Sequence, residues 1–247
     1  MAEVFDGLAR QAIDVEACFA QIAAIEAPRF SADHISRCAR LLAELACHDD
    51  LIWDHLAACQ DAAGWNRAML GANSFVLARS DQAMLRANVW SPIRPHGALR
   101  DHERALHGYD VAHNHDFHLL SVGFCGPGAA TELYRFDPDS ADGSTPQPVE
   151  LEPRGAVALS KGRVIYYEKY ADVHVQRPPA ELSISINLVF RHETRDRDQL
   201  VFDVGRSQVI GVAPRSRRTL HARFSALADI VSGALPAPAH HHTRGTS

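Results

Sequence analysis

The sequence lacks paired cysteines and long apolar runs. Its five cysteines are odd in number and form no Cys-x-x-Cys pair, which argues against a disulfide framework and a thiolate zinc site. No run of about 18 apolar residues is present, so no transmembrane helix is predicted. The first residues carry acidic side chains where a signal peptide needs positive charge. We therefore predict a soluble, cytoplasmic protein with no membrane partner.

An excess of positive charge is also missing. The formal net charge is −5 and the pI is about 6.3, and the basic residues are scattered apart from a short cluster at residues 215–218. This distribution predicts no nucleic-acid partner. What the chain does have is a hydrophobic content of 46% over 247 residues. That is enough to bury the core of one domain together with a helical extension.

The apolar pattern changes near residue 65. Before it, the chain is rich in alanine and leucine, with apolar residues at helical spacing. One such stripe consists of Ile35, Cys38, Leu41, Leu42 and Leu45. Ser31 precedes this stripe and is a good helix N-cap. We predict an N-terminal helical extension over residues 1–65.

Short segments rich in β-branched and aromatic residues follow, divided by turn residues. They are SFVLA, AMLRANVW, FHLLSVGF, TELYRFD, GAVALS, RVIYYEKY and LSISINLVF. Because no helical segment separates them, an antiparallel sandwich or barrel is predicted, rather than a parallel sheet. We place this mainly β barrel at residues 66–212, followed by an amphipathic C-terminal helix at 213–234. A low-complexity tail at 235–247, which contains three histidines, is predicted to be disordered.

Three histidines in the strand-like part have the spacing of metal ligands. On a strand, His113 and His115 lie on one face and His118 on the other. His174, about 60 residues later in another strand-like segment, is the natural third ligand. Neutral imidazoles suit iron, zinc, copper or nickel, and three of them leave positions open for substrate, water or dioxygen. We predict a metal site of His113, His115 and His174; a β-bulge would bring His118 in place of His113.

This pattern resembles the cupin superfamily. The cupin spacing of His-x-His, three residues, a glutamate, six residues and a glycine is matched from His113 to Gly126, with Leu119 in place of the glutamate. The second cupin motif is only partly kept, between Gly155 and His174. The resemblance covers residues 74–192. It implies a double-stranded β-helix, or jelly-roll barrel, with a metal ion at its mouth.

Among cupins, the three-histidine arrangement is similar to the thiol dioxygenases, of which cysteine dioxygenase is the familiar member. That resemblance implies Fe(II), or another divalent transition metal, and dioxygen without 2-oxoglutarate. This chain departs from it at Leu120, where some of those enzymes have a cysteine linked to tyrosine. Three neutral ligands leave the full dipositive charge on the ion, which attracts anions more strongly than a site with a carboxylate.

Several further residues are candidates for catalysis or substrate binding. Tyr166 is a candidate proton donor or pocket wall, although packing is the usual role of a strand tyrosine. Arg86 and Arg163 are candidate anion anchors, since a guanidinium pairs well with a carboxylate, and the alternative is that each lies at the surface. Asp116 and Glu132 are candidate hydrogen-bond acceptors behind the ligand imidazoles.

The hypothesis that follows is an Fe(II)-dependent oxygenase acting on a small polar molecule. The apolar residues Phe117, Leu119 and Phe124 would limit water access, and the charged insert at residues 91–110 is a candidate lid. A metal-dependent isomerase or lyase and a non-catalytic ligand-binding cupin are the alternatives. The expected partners are the substrate and dioxygen, with a homodimer as a further candidate.

Overall fold

Two antiparallel β-sheets and a layer of helices make up the structure. A computed structural model of the chain describes residues 2–59, 68–71, 73–93, 100–142, 144–190 and 197–213. The predicted C-terminal helix and tail beyond residue 213 lie outside the described residues. So does the chain around the predicted boundary at residue 65, and the domain limits stay a prediction.

The described residues contain four α-helices and fourteen strands. The helices are α1 (Val15–Ala23), α2 (Ala32–Leu45), α3 (Leu51–Ala58) and α4 (Arg100–His107). Sheet A has the spatial order β1 (Glu3–Phe5), β10 (Val164–Tyr167), β6 (Leu119–Cys125), β12 (Ser183–Phe190), β4 (Ala83–Trp90), β3 (Ser74–Arg79), β2 (Met69–Gly71). Sheet B has the order β8 (Gln147–Pro148), β14 (Gln208–Val212), β13 (Leu200–Asp203), β5 (Ala112–His113), β11 (Asp172–Gln176), β7 (Ala130–Phe136), β9 (Leu151–Ala158).

The order of the strands is that of a jelly roll. From β4 to β7, and again from β9 to β13, each strand lies in the opposite sheet from the one before it. Neighbouring strands within both sheets are antiparallel, as in the pairing of β4 with β12 over their full length. The predicted fold class is therefore confirmed: the protein is mainly β, with the two-sheet jelly-roll architecture that the cupin resemblance implies and no crossover helices of a parallel sheet in the described residues.

Sheet A separates two kinds of core. On its outer face, α2 packs against strand residues such as Leu85, Leu120 and Leu188 in the largest apolar cluster. Its inner face meets sheet B in a smaller cluster formed by Leu119, Leu133, Leu159, Ile165, Tyr167 and Val189. Because strand side chains alternate between faces, neighbouring residues of one strand belong to different cores. Leu119 and Leu120 are an example.

Sheet B carries a third apolar cluster on the face turned away from sheet A. Phe136, Val173, Val175 and Phe202 form it, with Phe136 and Phe202 in edge-to-face contact at 5.1 Å between ring centroids. Val173 and Val175 flank His174 on β11 and point to this outer face. The intervening His174 therefore points to the inner face.

Helix α2 forms as the sequence predicts. The Ser31 side chain accepts a hydrogen bond from the His34 N–H at 3.2 Å, so Ser31 is the N-cap of α2. The predicted stripe of α2, from Ile35 to Leu45, is buried against sheet A. None of the helices described here is long and apolar enough to cross a membrane.

One strand of sheet A comes from the predicted helical extension. β1 pairs with β10 from Glu3 opposite Tyr166 to Phe5 opposite Val164. The prediction that residues 1–65 form a helical extension is wrong for Glu3–Phe5, which is a strand of sheet A. A strand of three residues is too short to show a two-residue apolar period. It is formed by pairing with β10, which is far away in the sequence, so no local pattern predicts it.

Packing of α2 on sheet A predicts a clear stability difference. Replacing the fully buried Leu42 with alanine removes apolar contacts and leaves a cavity, so we expect a loss of about 2–5 kcal/mol in the free energy of unfolding. Trp53 on α3 is 69% exposed, and its replacement with alanine should change this free energy by no more than about 0.5 kcal/mol. Urea unfolding of the two variants provides the measurement. Equal losses would contradict the described packing of the helical layer.

Candidate metal centre

The three histidines meet on the inner face of sheet B. His113 on β5 lies directly opposite His174 on β11, and His115 lies two residues beyond His113, after the end of β5. The ring centroids are 4.4 to 5.1 Å apart, and one nitrogen of each ring lies within 4.8 Å of the other two. A shared ion, with metal–nitrogen distances of about 2.0–2.1 Å, would draw these atoms closer by small side-chain rotations.

The hydrogen bonding of the three rings leaves nitrogens available. His113 Nδ1 lies 2.9 Å from the Val111 carbonyl, which only accepts, so this nitrogen carries the proton and Nε2 has the lone pair. The Nδ1 atoms of His115 and His174 are buried and have no hydrogen-bond partner. A buried polar atom without a partner costs about 1–3 kcal/mol, and an ion bound through these two nitrogens would supply the missing partner. The residues present therefore fit a metal ion.

Burial keeps the imidazoles neutral. It lowers the pKa of His113, and it lowers the pKa values of His115 and His174 well below the ordinary histidine value. The mutual proximity of the three rings lowers the values of His115 and His174 further. A neutral imidazole is the form that binds metal, so the rings are ready to act as ligands near pH 7 without first losing protons.

Apolar and aromatic side chains surround the histidines. The Phe117 ring stacks on His115 at 4.6 Å, and the Tyr167 ring lies 4.8 Å from His174. Leu119, at the position of the cupin glutamate, is buried in the same inner cluster as Leu133. The predicted apolar flanks Phe117 and Leu119 thus lie on the inner side. Phe124 does not, because it faces the helices with the outer cluster.

His118 is not at the cluster, so the alternative ligand is ruled out in this arrangement. Its ring stacks on Phe30 at 3.9 Å, and its Nδ1 accepts a hydrogen bond from the Tyr166 hydroxyl at 2.7 Å. The Lys169 N–H points to the same nitrogen at 3.4 Å. His118 therefore faces the helical side of sheet A, and no β-bulge brings it to His115.

Tyr166 lies on the wrong side of β10 for its predicted catalytic role. It belongs to the core shared with the helices and bonds to His118. The next residue, Tyr167, faces the histidines instead, and its hydroxyl is hydrogen-bonded to the buried Thr131. Burial raises the pKa of Tyr167, so its phenol stays protonated. The tyrosine at the candidate site is thus Tyr167.

Arg86 points into the interior between the sheets. On β4 its neighbours Leu85 and Ala87 are in the helix-facing core, so Arg86 faces the other way. It lies opposite Asn187, which in turn lies opposite Ser121, and these two side chains are hydrogen-bonded at 2.7 Å. Burial lowers the pKa of Arg86 to about 10, which keeps it charged at pH 7.

The charge of Arg86 has no counterion among the described residues. Its Nε is buried without a hydrogen-bond partner, and no acidic side chain contributes to its pKa. The pKa of His115 is lowered most by burial, then by His174 and His113, and the positive charge of Arg86 lowers it further. Arg86 is half-buried with its Nε fully enclosed, and a cation in such a position without a partner is costly, so Arg86 is a candidate to bind an anion beside the histidines.

Arg163 and Glu132 are occupied elsewhere. Arg163 binds Asp6 through two nitrogens, at 2.8 and 3.0 Å, and donates to the Ala158 carbonyl at 3.1 Å. It joins the N-terminal segment to the end of β9 and is not part of the histidine cluster. Glu132 accepts from Arg177 at 2.8 Å and from Tyr134 at 3.1 Å, so it is not the acceptor behind a ligand imidazole. For His113 that acceptor is the Val111 carbonyl.

A separate cavity of about 340 Å³ lies beside Asn114. Asn114, Phe136, Tyr170, Arg197 and Leu200 are among the residues that line it, and none of the three histidines does. It therefore does not belong to the metal centre. The candidate lid is described only in part, since residues 94–99 lie outside the described residues, and its role stays a prediction.

Comparison with known proteins finds only distant structural similarity. No protein-family model matches the sequence, and no curated protein matches it. Among solved structures, hydroquinone 1,2-dioxygenase from Sphingomonas sp. with bound 4-hydroxybenzoate is 7% identical, with a TM-score of 0.33 over 50% of this chain and 68% of that chain.

Two further solved structures have similar scores. A cupin domain from Bordetella pertussis is 14% identical, with a TM-score of 0.28 over 49% of this chain and 95% of that one. The DMSP lyase DddQ from Ruegeria pomeroyi is 11% identical, with a TM-score of 0.34 over 80% of this chain and 81% of that chain. At these values, neither the activity nor the ligand of any of these proteins transfers to this chain.

The cluster predicts which histidines hold a metal. Purified full-length protein without an affinity tag should bind about one equivalent of zinc or cobalt. Replacing a residue that only hydrogen-bonds to a metal ligand typically weakens metal binding by roughly 10- to 100-fold. Because His115→Ala and His174→Ala remove a ligand itself, each should weaken binding by more than that. His118→Ala is the matched control and should bind as the wild type does.

Replacing the three tail histidines, His240, His241 and His242, with serine controls for metal bound by the C-terminal tail. Isothermal titration calorimetry gives the affinity and stoichiometry of each variant. Unchanged binding in both cluster variants, or loss only in the tail variant, would refute the assignment.

Proposed function

We propose that the protein is a metal-dependent enzyme whose ion is held by His113, His115 and His174. The observation that carries this proposal is that His115 and His174, whose ring centroids lie 4.9 Å apart, each have a buried Nδ1 without a hydrogen-bond partner. Such atoms are rare in folded proteins unless a ligand or an ion completes them. Three histidine ligands leave coordination positions for a substrate, as in catalytic metal sites.

Within this class we propose a non-haem Fe(II) oxygenase that acts without 2-oxoglutarate. When bound, the iron would supply redox chemistry with dioxygen beside the substrate. The chain contributes neutral ligands, an apolar wall from Phe117 and Leu119, and the protonated Tyr167 next to His174. The wall excludes water, and the fixed positions of the groups favour reaction between bound neighbours.

A small anionic molecule is the proposed substrate class. Arg86 is the interior cation without a described counterion, and a guanidinium binds a carboxylate through two parallel hydrogen bonds. The adjacent Asn187 and Ser121 already bond to each other, so they line the site and do not compete for the guanidinium. An anion at Arg86 also meets the positive charge of an ion held by three neutral ligands.

Two alternatives share the same site. A metal-dependent isomerase or lyase would use the ion as a Lewis acid and needs no dioxygen. A non-catalytic ligand-binding protein would hold an anion at Arg86 and catalyse no reaction, and its metal content would distinguish it from both enzymes. The oxygenase and the isomerase or lyase both use the histidine cluster, and they differ in their need for dioxygen.

Dioxygen uptake distinguishes these functions. Protein reconstituted anaerobically with Fe(II) should consume dioxygen only when a substrate from a panel of small carboxylates and thiols is added, because the substrate must complete the site. An oxygen electrode with product analysis by mass spectrometry gives the readout, and zinc-loaded protein is the control. Turnover that persists without oxygen, or equally with zinc, would move the function to the isomerase or lyase class.

The two arginines offer a matched test of the substrate class. Arg86→Met keeps the apolar stem and removes the charge, so it should lower kcat/KM for an anionic substrate by roughly 10- to 150-fold, the worth of a hydrogen bond to a charged group. Arg163→Met should leave kcat/KM nearly unchanged, because Arg163 is engaged with Asp6. Steady-state kinetics with the substrate found in the panel measures both. Equal effects, or no effect at Arg86, would remove the arginine from the site.

A further inference from the structure

Asn114 stands between the two histidines of the His-x-His motif and is 1% exposed. Its Nδ2 donates a hydrogen bond to the Tyr170 carbonyl at 2.7 Å, and its Oδ1 accepts one from the Leu200 N–H at 2.7 Å. Both partners are backbone groups, and they belong to two different segments. The Asn114 side chain therefore joins the His-x-His motif to the backbone at Tyr170 and at Leu200.

His115 depends on such support more than His113 does. His113 is part of β5 and has strand partners on both sides, His174 and Val201. His115 lies beyond the last residue of β5, where no ladder holds it. Its carbonyl accepts a hydrogen bond from the Tyr170 N–H at 2.7 Å, so Tyr170 is bound by both Asn114 and His115.

The two segments that Asn114 holds lead to the other histidines. Tyr170 has a left-handed backbone, with φ of 63°, in the turn that opens into β11, the strand of His174. Leu200 begins β13, and its neighbour Val201 pairs with His113. Through these bonds one side chain connects the backbone positions of all three rings.

We propose that Asn114 is a positioning residue of the three-histidine metal centre, setting the place of His115 relative to His113 and His174. The inference rests on the proposed metal centre. Asparagine is suited to this role because its short side chain carries both a hydrogen-bond donor and an acceptor on one amide group. Aspartate at this position would keep the acceptor for Leu200 but lose the donor to Tyr170, and alanine would lose both.

Cobalt binding by the full chain tests the proposal without any substrate. Cobalt(II) alone is titrated into wild-type protein, Asn114→Asp and Asn114→Ala, and both affinity and visible absorption are recorded, because the absorption reports the geometry of the ligands. We expect affinity to fall by about 10- to 100-fold in Asn114→Ala, with a shifted absorption spectrum, and by less in Asn114→Asp. Where Asn114→Ala fails to fold, Asn114→Asp is judged by the same two readouts.

Two controls separate positioning from general loss of stability. Leu42→Ala removes a buried side chain in the helical layer, and Asn73→Ala removes an asparagine whose Nδ2 donates to the Val89 carbonyl at 3.4 Å. Both should keep the affinity and spectrum of the wild type. Equal weakening in Leu42→Ala, or wild-type affinity and spectrum in the Asn114 variants, overturns the proposal. Wild-type protein that binds no cobalt overturns the metal centre itself, which is a different result.

Discussion

A buried imidazole nitrogen needs a partner, and this constraint organises the interior of the barrel. The Nδ1 atoms of His115 and His174 are buried with no hydrogen-bond partner, and the rings of Phe117 and Tyr167 pack against His115 and His174. Desolvation of this kind is unfavourable unless another group replaces the lost water. A metal ion bound by the three neutral imidazoles would be that partner, and the opposed strands β5 and β11 hold the rings of His113 and His174 in place.

Alternation of side chains across sheet A determines which groups reach that interior. The odd and even residues of β4 divide between the helix-facing core and the space between the sheets, and Arg86 falls on the inner side. On β10 the same rule turns Tyr167 inward and Tyr166 toward His118 and the helices. The site therefore combines a free cation, a protonated phenol and three neutral imidazoles within a largely apolar wall. Such a combination is suited to a small anion that must be held away from water.

Much of this arrangement could be predicted from the sequence, where the local pattern is strong. The segments AMLRANVW and LSISINLVF are strands β4 and β12 almost to the residue, and the α2 stripe is buried as its spacing indicates. The position of His113 opposite His174 also agrees with the predicted strand geometry, whereas His115 lies beyond the end of β5. The errors have a common physical origin. Val164–Tyr167 is buried on both faces, so no polar alternation shows which tyrosine points inward, and β1 is stabilised by a distant strand. The role of Asn114 depends on partners 56 and 86 residues away, which no local pattern reveals.

X-ray absorption at the zinc edge tests the central claim most directly, because it reports the atoms bound to the ion without depending on any activity. Tag-free protein loaded with one equivalent of zinc should show a shell of nitrogen and oxygen at about 2.0–2.1 Å, with the outer scattering of three imidazoles. The scattering of one imidazole should disappear when His174 is replaced with alanine. A shell containing sulfur, or three imidazoles that persist in that variant, would contradict a metal centre built from His113, His115 and His174.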